Sequence, residues 1–211
     1  YDTAMVYPQA IQLAKAVGRP VKVIWSREEE FLRDTRRPMA AVRFNAGLDE
    51  AGYPVALDVV TITEGPTEGI AGKRGEKLDE TAVEGLTHKP YAIPNRRIAQ
   101  IYKKGPVLVG YWRSVGNSMN DFLYESFLDE IAHAGGKDPF ELRLHLLQGN
   151  KRLTTLLNAV VDLSGGWKPG PFTAADGSQR ARGIAMASPF GTEAAAIAEV
   201  SILNGKVKVH D

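Results

Sequence analysis

The sequence predicts an α+β fold, a mixed or antiparallel sheet with a helical middle. Three observations carry this expectation. β-prone runs at 42–48 and 55–62 come before a block of helical periodicity at 118–163, and further β-prone runs at 183–187, 195–203 and 206–210 come after it. The last two runs are joined by Asn204-Gly205, the strongest short hairpin signal. The order of elements is not the regular strand–helix alternation of a βαβ series.

Each element has its own justification. From Ala4 to Val17, Val6, Ala10, Ile11, Leu13, Ala14 and Val17 fall at mainly helical spacing, Pro8 sits where a first turn tolerates it, and Gly18 stops the helix. The alternation in PVKVIWS, residues 20–26, predicts a strand, and Ser26 followed by Glu29 caps a short helix over REEEFLRD. Asp49-Glu-Ala-Gly52 separates the first two β runs at hairpin distance. Residues 64–95 mix glycine, proline and charge without a sustained period, which predicts a long surface excursion. Within it, Gly69 to Gly75 fails as a phosphate loop, because Thr67 stands where the first glycine belongs and Arg74 replaces Ser or Thr. A strand at 97–104 leads through Gly105-Pro106 to a second short strand at Val107, Leu108 and Val109, and Gly110 turns the chain into Tyr111, Trp112 and Arg113.

Ser118 with Asp121 resembles a capping box, so a helix should start near Ser118. Met119, Phe122, Leu123, Phe127, Leu128, Ile131 and Ala134 give it an apolar face, and Asn120, Asp121, Glu125, Asp129, Glu130 and His133 a polar one. Gly135-Gly136 ends it, and Asp138-Pro139 with Glu141 starts a shorter helix that ends near Gly149. Leu153, Leu156, Leu157, Val160, Val161 and Leu163 define a third helix, stopped by Gly165-Gly166. A polar loop then runs to Arg180.

At 211 residues the chain holds one large or two small domains, and 44% apolar with 24% charged residues is ordinary for a globular protein. Twenty-six basic against 25 acidic residues leave a net charge of +1, which argues against a nucleic-acid partner. The doublets Arg36-Arg37, Arg96-Arg97 and Lys103-Lys104 read as solvated edges. The absence of cysteine excludes disulfides, thiolate nucleophiles and cysteine-held iron–sulfur clusters from this stretch. No apolar run approaches the roughly 20 residues of a membrane span. An opening tyrosine and an ending within VKVHD suggest a piece of a longer polypeptide.

His88, His133, His145 and His210 lie in separate segments with no i, i+4 pair, so no side-chain metal site is expected. Glu125, Asp129 and Glu130 belong to the polar helix face, where solvated or ion-paired roles outweigh acid catalysis. Ser114 lacks the G-x-S-x-G elbow of a nucleophile. Arg113 is different in kind. Its guanidinium fork suits oxyanions, and it stands in a glycine-bounded turn at a helix entrance where free amides also favour anions. The bland reading is an ion pair with a carboxylate on the following helix.

Several ordered pieces, Tyr91-Ala-Ile-Pro94-Asn95, GYWRSVG at 110–116, ESFLDEIA at 125–132 and KDPFELR at 137–143, together resemble the molybdenum hydroxylase family of xanthine dehydrogenase and aldehyde oxidase. VKVIWSREEEFLRD and the closing AEVSILNGKVKVHD also fit, and the tryptophan-arginine-serine loop is most similar to the large, beta subunit of isoquinoline 1-oxidoreductase and of related bacterial aldehyde dehydrogenases. The resemblance implies a part of a molybdenum cofactor-binding domain, with residues 1–150 forming a first part and 151–211 the start of the next. It implies a molybdopterin cofactor as cytosine dinucleotide, hydroxylation of N-heterocycles or aldehydes with water as oxygen source, and electron transfer to an iron–sulfur partner subunit. Tyr111, Trp112, Arg113, Ser114 and Gly116 would contact the cofactor, and Val115 would lie at the substrate pocket. Xanthine-type members carry phenylalanine at the position of Val115 and a substrate-orienting arginine near Thr81 and Ala82, so the resemblance points to substrates other than purines. The family's glycine-rich GGGFG-type loop and glutamate base fall outside these residues, so no catalytic residue is assigned here. The isolated chain is expected to be inactive and to bind no cofactor. The alternative is a non-catalytic α+β module that binds a small molecule or a protein.

Overall fold

The computed structural model describes residues 6–72 and 75–210. Helix α1 (Tyr7–Val17) carries Pro8 in its first turn and ends at Gly18, whose φ of 60° is the left-handed stop that glycine supplies. The predicted start at Ala4 lies outside the described residues, as do Lys73 and Arg74 of the rejected phosphate loop. PVKVIWS does not form the predicted strand. Its alternation has no ladder partner among the described residues: Ile24 is 73% exposed, while Trp25 Nε1 donates to Gln9 Oε1 at 2.9 Å and so lies against α1. Helix α2 (Arg27–Arg33) begins as expected, Ser26 Oγ accepting from the Glu29 amide.

Strand β1 (Ala40–Leu48) pairs antiparallel with β2 (Pro54–Thr63) through a turn closed by Asp49, whose carboxylate accepts from the Tyr53 amide at 2.8 Å. Strand β3 (Asn95–Tyr102) joins β2 in parallel, completing a three-stranded mixed sheet. Val107–Val109 is not the predicted strand. It makes a single parallel bridge between Val109 and Arg36, held by Arg36 N to Leu108 O at 2.9 Å and Gly110 N to Arg36 O at 3.1 Å.

Residues 64–95 are not a surface excursion. Glu64, Glu68, Asp79, Ala82, Val83, Leu86, Lys89, Tyr91 and Ile93 are all buried. Two short helices, α3 (Pro66–Ala71) and α4 (Glu80–Val83), lie here. Glu68 accepts from the Gly65 amide at 3.1 Å and from Gln100 Nε2 at 2.8 Å, and Asp79 accepts from the Glu68 amide at 2.9 Å. Because these carboxylates meet donors close at hand, polar residues can be buried here at little cost.

Helix α5 (Asn117–Ala134) is the central element, followed by α6 (Pro139–Leu146), capped by Asp138, and α7 (Lys151–Leu163), capped by Asn150. Strands β4 (Phe172–Thr173), β5 (Gln179–Ala187), β6 (Ala194–Leu203) and β7 (Lys206–Val209) form an antiparallel sheet, with Asn204 and Gly205 at φ 51° and 73° in the last hairpin. One core joins Leu57 and Val59 of β2, Tyr124, Leu128 and Ile131 of α5, Leu142 and Leu146 of α6, Leu157 of α7, and Ile184 and Met186 of β5. Phe44 of β1 stacks on Phe127 at 4.9 Å and meets Tyr124 edge-on. The predicted apolar stripe of α5 is therefore only partly the buried one. Phe122 is 68% exposed, while Asn120 and Glu125, placed on the polar face by periodicity, are buried.

Candidate functional site

The site is the loop from Tyr111 to Gly116 at the entrance to α5. Two consecutive residues in it, Ser114 (φ 66°) and Val115 (φ 48°), occupy the left-handed region. For a β-branched valine this conformation is a genuine outlier, sustained only by surrounding contacts. Those contacts are specific. Arg37 Nη2 donates to the Arg113 carbonyl and Nη1 to the Val115 carbonyl, both at 3.0 Å, and the same guanidinium lies 5.9 Å from the Trp112 ring. Trp112 Nε1 donates to the Thr35 carbonyl at 2.8 Å, and the Val115 amide to the Trp112 carbonyl at 2.8 Å. Two glycines permit the close approach. A Cβ at Gly110 would collide with the Thr35 side chain, and one at Gly116 would stand 2.6 Å from the Thr81 carbonyl oxygen.

The predicted capping box is not formed. α5 has Gly116 as its N-cap residue and no side-chain cap. Ser118 Oγ instead turns back to Ser114 Oγ and to the Arg113 carbonyl at 3.3 Å, because the left-handed pair brings that carbonyl within reach. Ser114 Oγ donates to the same carbonyl at 2.6 Å. The first turn of α5 therefore has no cap from its own N-cap residue and no acidic residue of its own. A carboxylate from elsewhere lies there instead: Glu84 accepts from Asn117 Nδ2 at 3.2 Å, burial raising its carboxyl against the pull of the Gly116 amide, and the Asn117 amide is spent on the Ser114 carbonyl at 2.9 Å. Arg113 is exposed, and among the described residues no carboxylate lies within ion-pair distance of its guanidinium.

The alternative role for Arg113, pairing with Glu125 or Asp129, belongs to Arg143. This fully buried guanidinium donates from Nε to Glu125 Oε2 at 3.0 Å, from Nη1 to Asp129 Oδ1 at 2.7 Å and from Nη2 to the Glu125 carbonyl at 3.0 Å. Glu125 also accepts from Lys89 Nζ at 2.9 Å, from the Tyr91 hydroxyl at 3.1 Å and from the Met186 amide at 3.1 Å. Lys89 reaches Asp121 at 2.9 Å and the Met186 carbonyl at 3.2 Å, so two side chains meet the β5 backbone at Met186. Burial pushes the Asp121 and Asp129 carboxyls up against the opposing pull of Lys89 and Arg143. It also raises the Tyr91 phenol well above its ordinary range, with the Glu125 charge adding to the effect. Glu130 is exposed, as the polar-face reading requires.

Tyr111 belongs to a chain of hydroxyls with a fixed direction. Thr81 Oγ1 donates to the Asp79 carboxylate, Thr67 Oγ1 lies 3.0 Å from Thr81 Oγ1, and the Tyr111 hydroxyl lies 2.6 Å from Thr67 Oγ1. A carboxylate can only accept, so each hydroxyl in turn donates inward, and Tyr111 presents acceptor lone pairs outward. Val115, Gly116, Thr81, Ala82 and Arg37 line one small cleft of about 10 Å³, room for about one water. Sequence reasoning missed Arg37, Thr67 and Asp79. The Arg36-Arg37 doublet is the available signal, but charge alone does not separate a solvated edge from a clamp. Arg96 is exposed, as the solvated-edge reading expects, and also donates to the Lys89 carbonyl at 3.0 Å. Among the described residues no cluster of His, Asp or Glu could hold a metal, and no helix is long and apolar enough to cross a membrane.

Residues 2–147 match the family described as the molybdopterin cofactor-binding domain. The chain belongs to that family. It is 28% identical over 196 residues to the beta subunit of isoquinoline 1-oxidoreductase from Brevundimonas diminuta, covering 90% of this chain and 24% of the relative. It is 29% identical over 153 residues to the membrane-bound aldehyde dehydrogenase [pyrroloquinoline-quinone] of Gluconacetobacter polyoxogenes, covering 69% of this chain and 20% of the relative. The chain thus spans about a fifth to a quarter of the length of these curated relatives. The crystal structure of quinoline 2-oxidoreductase from Pseudomonas putida 86 superposes with a TM-score of 0.59 at 20% identity, over 83% of this chain and 25% of that one, a likeness of fold. Family membership agrees with the resemblance read from the ordered motifs, and the homologues are oxidoreductases. The donor chemistry in the loop that fits the family's anionic group is that of Arg113, an exposed guanidinium with no carboxylate partner among the described residues.

Proposed function

We propose that the Tyr111–Gly116 loop forms one wall of a molybdenum–pterin site in an enzyme that hydroxylates N-heterocycles or aldehydes with water as the oxygen source. The observation that carries this reading is Arg113, exposed and without a carboxylate partner among the described residues, in the loop that enters α5. When bound, the molybdopterin group supplies two-electron redox chemistry. The chain's own residues do the holding. Arg113 meets the anionic groups, Tyr111 accepts from an N–H donor, and Trp112, Ser114 and Gly116 keep the loop closed. The family match favours a pterin over the quinone named for the Gluconacetobacter relative. The reading takes the cofactor as its cytosine dinucleotide, and electrons as leaving through an iron–sulfur partner subunit. Three relatives are themselves named as subunits, of isoquinoline 1-oxidoreductase in Brevundimonas diminuta, of nicotinate dehydrogenase in Pseudomonas putida and of a probable xanthine dehydrogenase in Bacillus subtilis, which supports an assembly of several chains.

For the substrate, Val115 beside Thr81 and Ala82 offers small side chains where an aromatic wall and an arginine would serve a purine. The cleft they line is too small to hold a heterocycle alone, so Val115 contributes one wall of a larger pocket. Residues 1–150 make the first part of the cofactor-binding region and 151–211 begin the next, a division supported by the family match ending at residue 147.

The test is Arg113→Ala in the full-length protein, with molybdenum by elemental analysis, released pterin and nucleotide by chromatography, and thermal unfolding. Cofactor content should collapse while stability changes by less than about 1 kcal/mol, the range for an exposed charge. Normal loading and turnover in the variant would refute the reading.

A further inference from the structure

We propose that Arg37 is the positioning residue that sets the shape of the Arg113 loop. The inference rests on the cofactor reading of that loop and adds a residue outside it. Ser114 and Val115 lie side by side at positive φ, and neither is a glycine, so the conformation needs external support. Arg37 gives that support at both ends of the pair. Its two terminal nitrogens reach the carbonyls of Arg113 and Val115 at 3.0 Å each, bracketing Ser114. A planar fork can hold two carbonyls at a fixed separation, and a lysine ammonium cannot reproduce that geometry. The guanidinium is itself positioned, because Trp112 faces it at 5.9 Å and is tied to the carbonyl of Thr35 at 2.8 Å.

The two arginines therefore divide the work. Arg37 turns its donors inward onto the loop's own carbonyls, and no carboxylate among the described residues pairs with it. Arg113 keeps its donors for the exterior. Without the fork, two carbonyls lose their partner and the left-handed pair relaxes toward ordinary backbone, which swings Arg113 away from the first turn of α5.

The experiment uses the full-length protein with Arg37→Met, Arg37→Lys and, as an internal reference, Arg113→Ala. Molybdenum and pterin are measured per folded polypeptide, and thermal unfolding is recorded on the cofactor-free form. Arg37→Met should retain roughly tenfold less cofactor with its unfolding midpoint only modestly lowered, because the two bonds lie at a part-buried to exposed site where water replaces most of what the fold loses but does not hold the loop's shape. Arg37→Lys should recover part of the loading by holding one carbonyl. Normal loading in Arg37→Met while Arg113→Ala loads poorly would overturn the positioning role alone. A fall in unfolding midpoint equal in Met and Lys variants, with loading per folded molecule intact, would make Arg37 a merely structural residue. Normal loading in Arg113→Ala would overturn the cofactor reading beneath both.

Discussion

Replacing Arg143 by methionine isolates the buried ionic cluster from everything at the loop. Methionine fills most of the same volume, so the packing loss is small and the effect is one of charge. The guanidinium, 0% exposed, makes hydrogen bonds to the Glu125 and Asp129 carboxylates and to the carbonyls of Glu125 and Pro139, at 2.7–3.0 Å. Removing it leaves Lys89 as the one cation, among the described residues, facing Glu125 and Asp121, and leaves Asp129 without its partner. Breaking a buried pair by deleting one partner costs about 3–5 kcal/mol. Asp129, with its side chain 45% exposed, can rehydrate, which places the expectation in the lower half of that range. For a chain of this size each kcal/mol moves the midpoint by about 2–4 °C, so a drop of roughly 6–16 °C follows. The assay is thermal and urea unfolding of the cofactor-free protein at neutral pH, with Asp129→Asn as the half-exposed comparison. A loss below about 1 kcal/mol for Arg143→Met would show that the cluster is hydrated and would refute the reasoning from burial.

Gly116→Ala should destabilise by about 1–3 kcal/mol and lower cofactor content, since its Cβ would stand 2.6 Å from the Thr81 carbonyl oxygen and neither backbone can yield freely; an unshifted unfolding midpoint would contradict this. Hydrogen bonds from Arg182 and then Arg180 hold the Glu199 carboxyl below its ordinary value of 4.5. A depressed carboxyl stabilises the fold above the unfolded value and loses that contribution as pH falls beneath it, so the stability gap between wild type and Glu199→Gln should close on acidification below 4.5. A gap that is constant with pH would mean that Glu199 acts through packing.

The sequence was most legible where a backbone need and a residue type coincide. Asn204-Gly205 called for two left-handed residues, Asp138-Pro139 for a helix start and Gly18 for a helix stop, and the structure has all three. Strand readings failed where pairing, a non-local event, decides. PVKVIWS and Val107–Val109 have suitable alternation or β propensity, yet one lacks a ladder and the other makes a single bridge. The larger error was to equate polarity with solvent. Glu64, Glu68, Asp79 and Lys89 made residues 64–95 look like surface, and Asn120 and Glu125 were read as exposed on α5, because each has partners distant in sequence that no local pattern displays. The loop's aromatic and arginine content was visible. Its left-handed pair was not, since serine and valine give no hint of positive φ.

That buried polar network bears on the site through α5. A cluster of charges adds little net stability over well-packed hydrophobic residues, but its hydrogen bonds are directional, and each member restricts the rotation and register of the helix that carries it. Glu125 lies nine residues beyond Gly116 on the same helix, about 14 Å along its axis. It is tied to Lys89, Tyr91, Arg143 and the β5 backbone, so α5 is fixed against three other parts of the fold. At the other end Gly116 abuts Thr81, and Arg37 clamps the two carbonyls before it. A loop held at both edges, in front of a helix that cannot turn, presents Arg113 and Tyr111 at a set distance from each other although neither side chain is itself buried. The ionic cluster and the strained loop are thus parts of one device: the first orients the helix start, and the second uses that orientation to aim donors and acceptors outward.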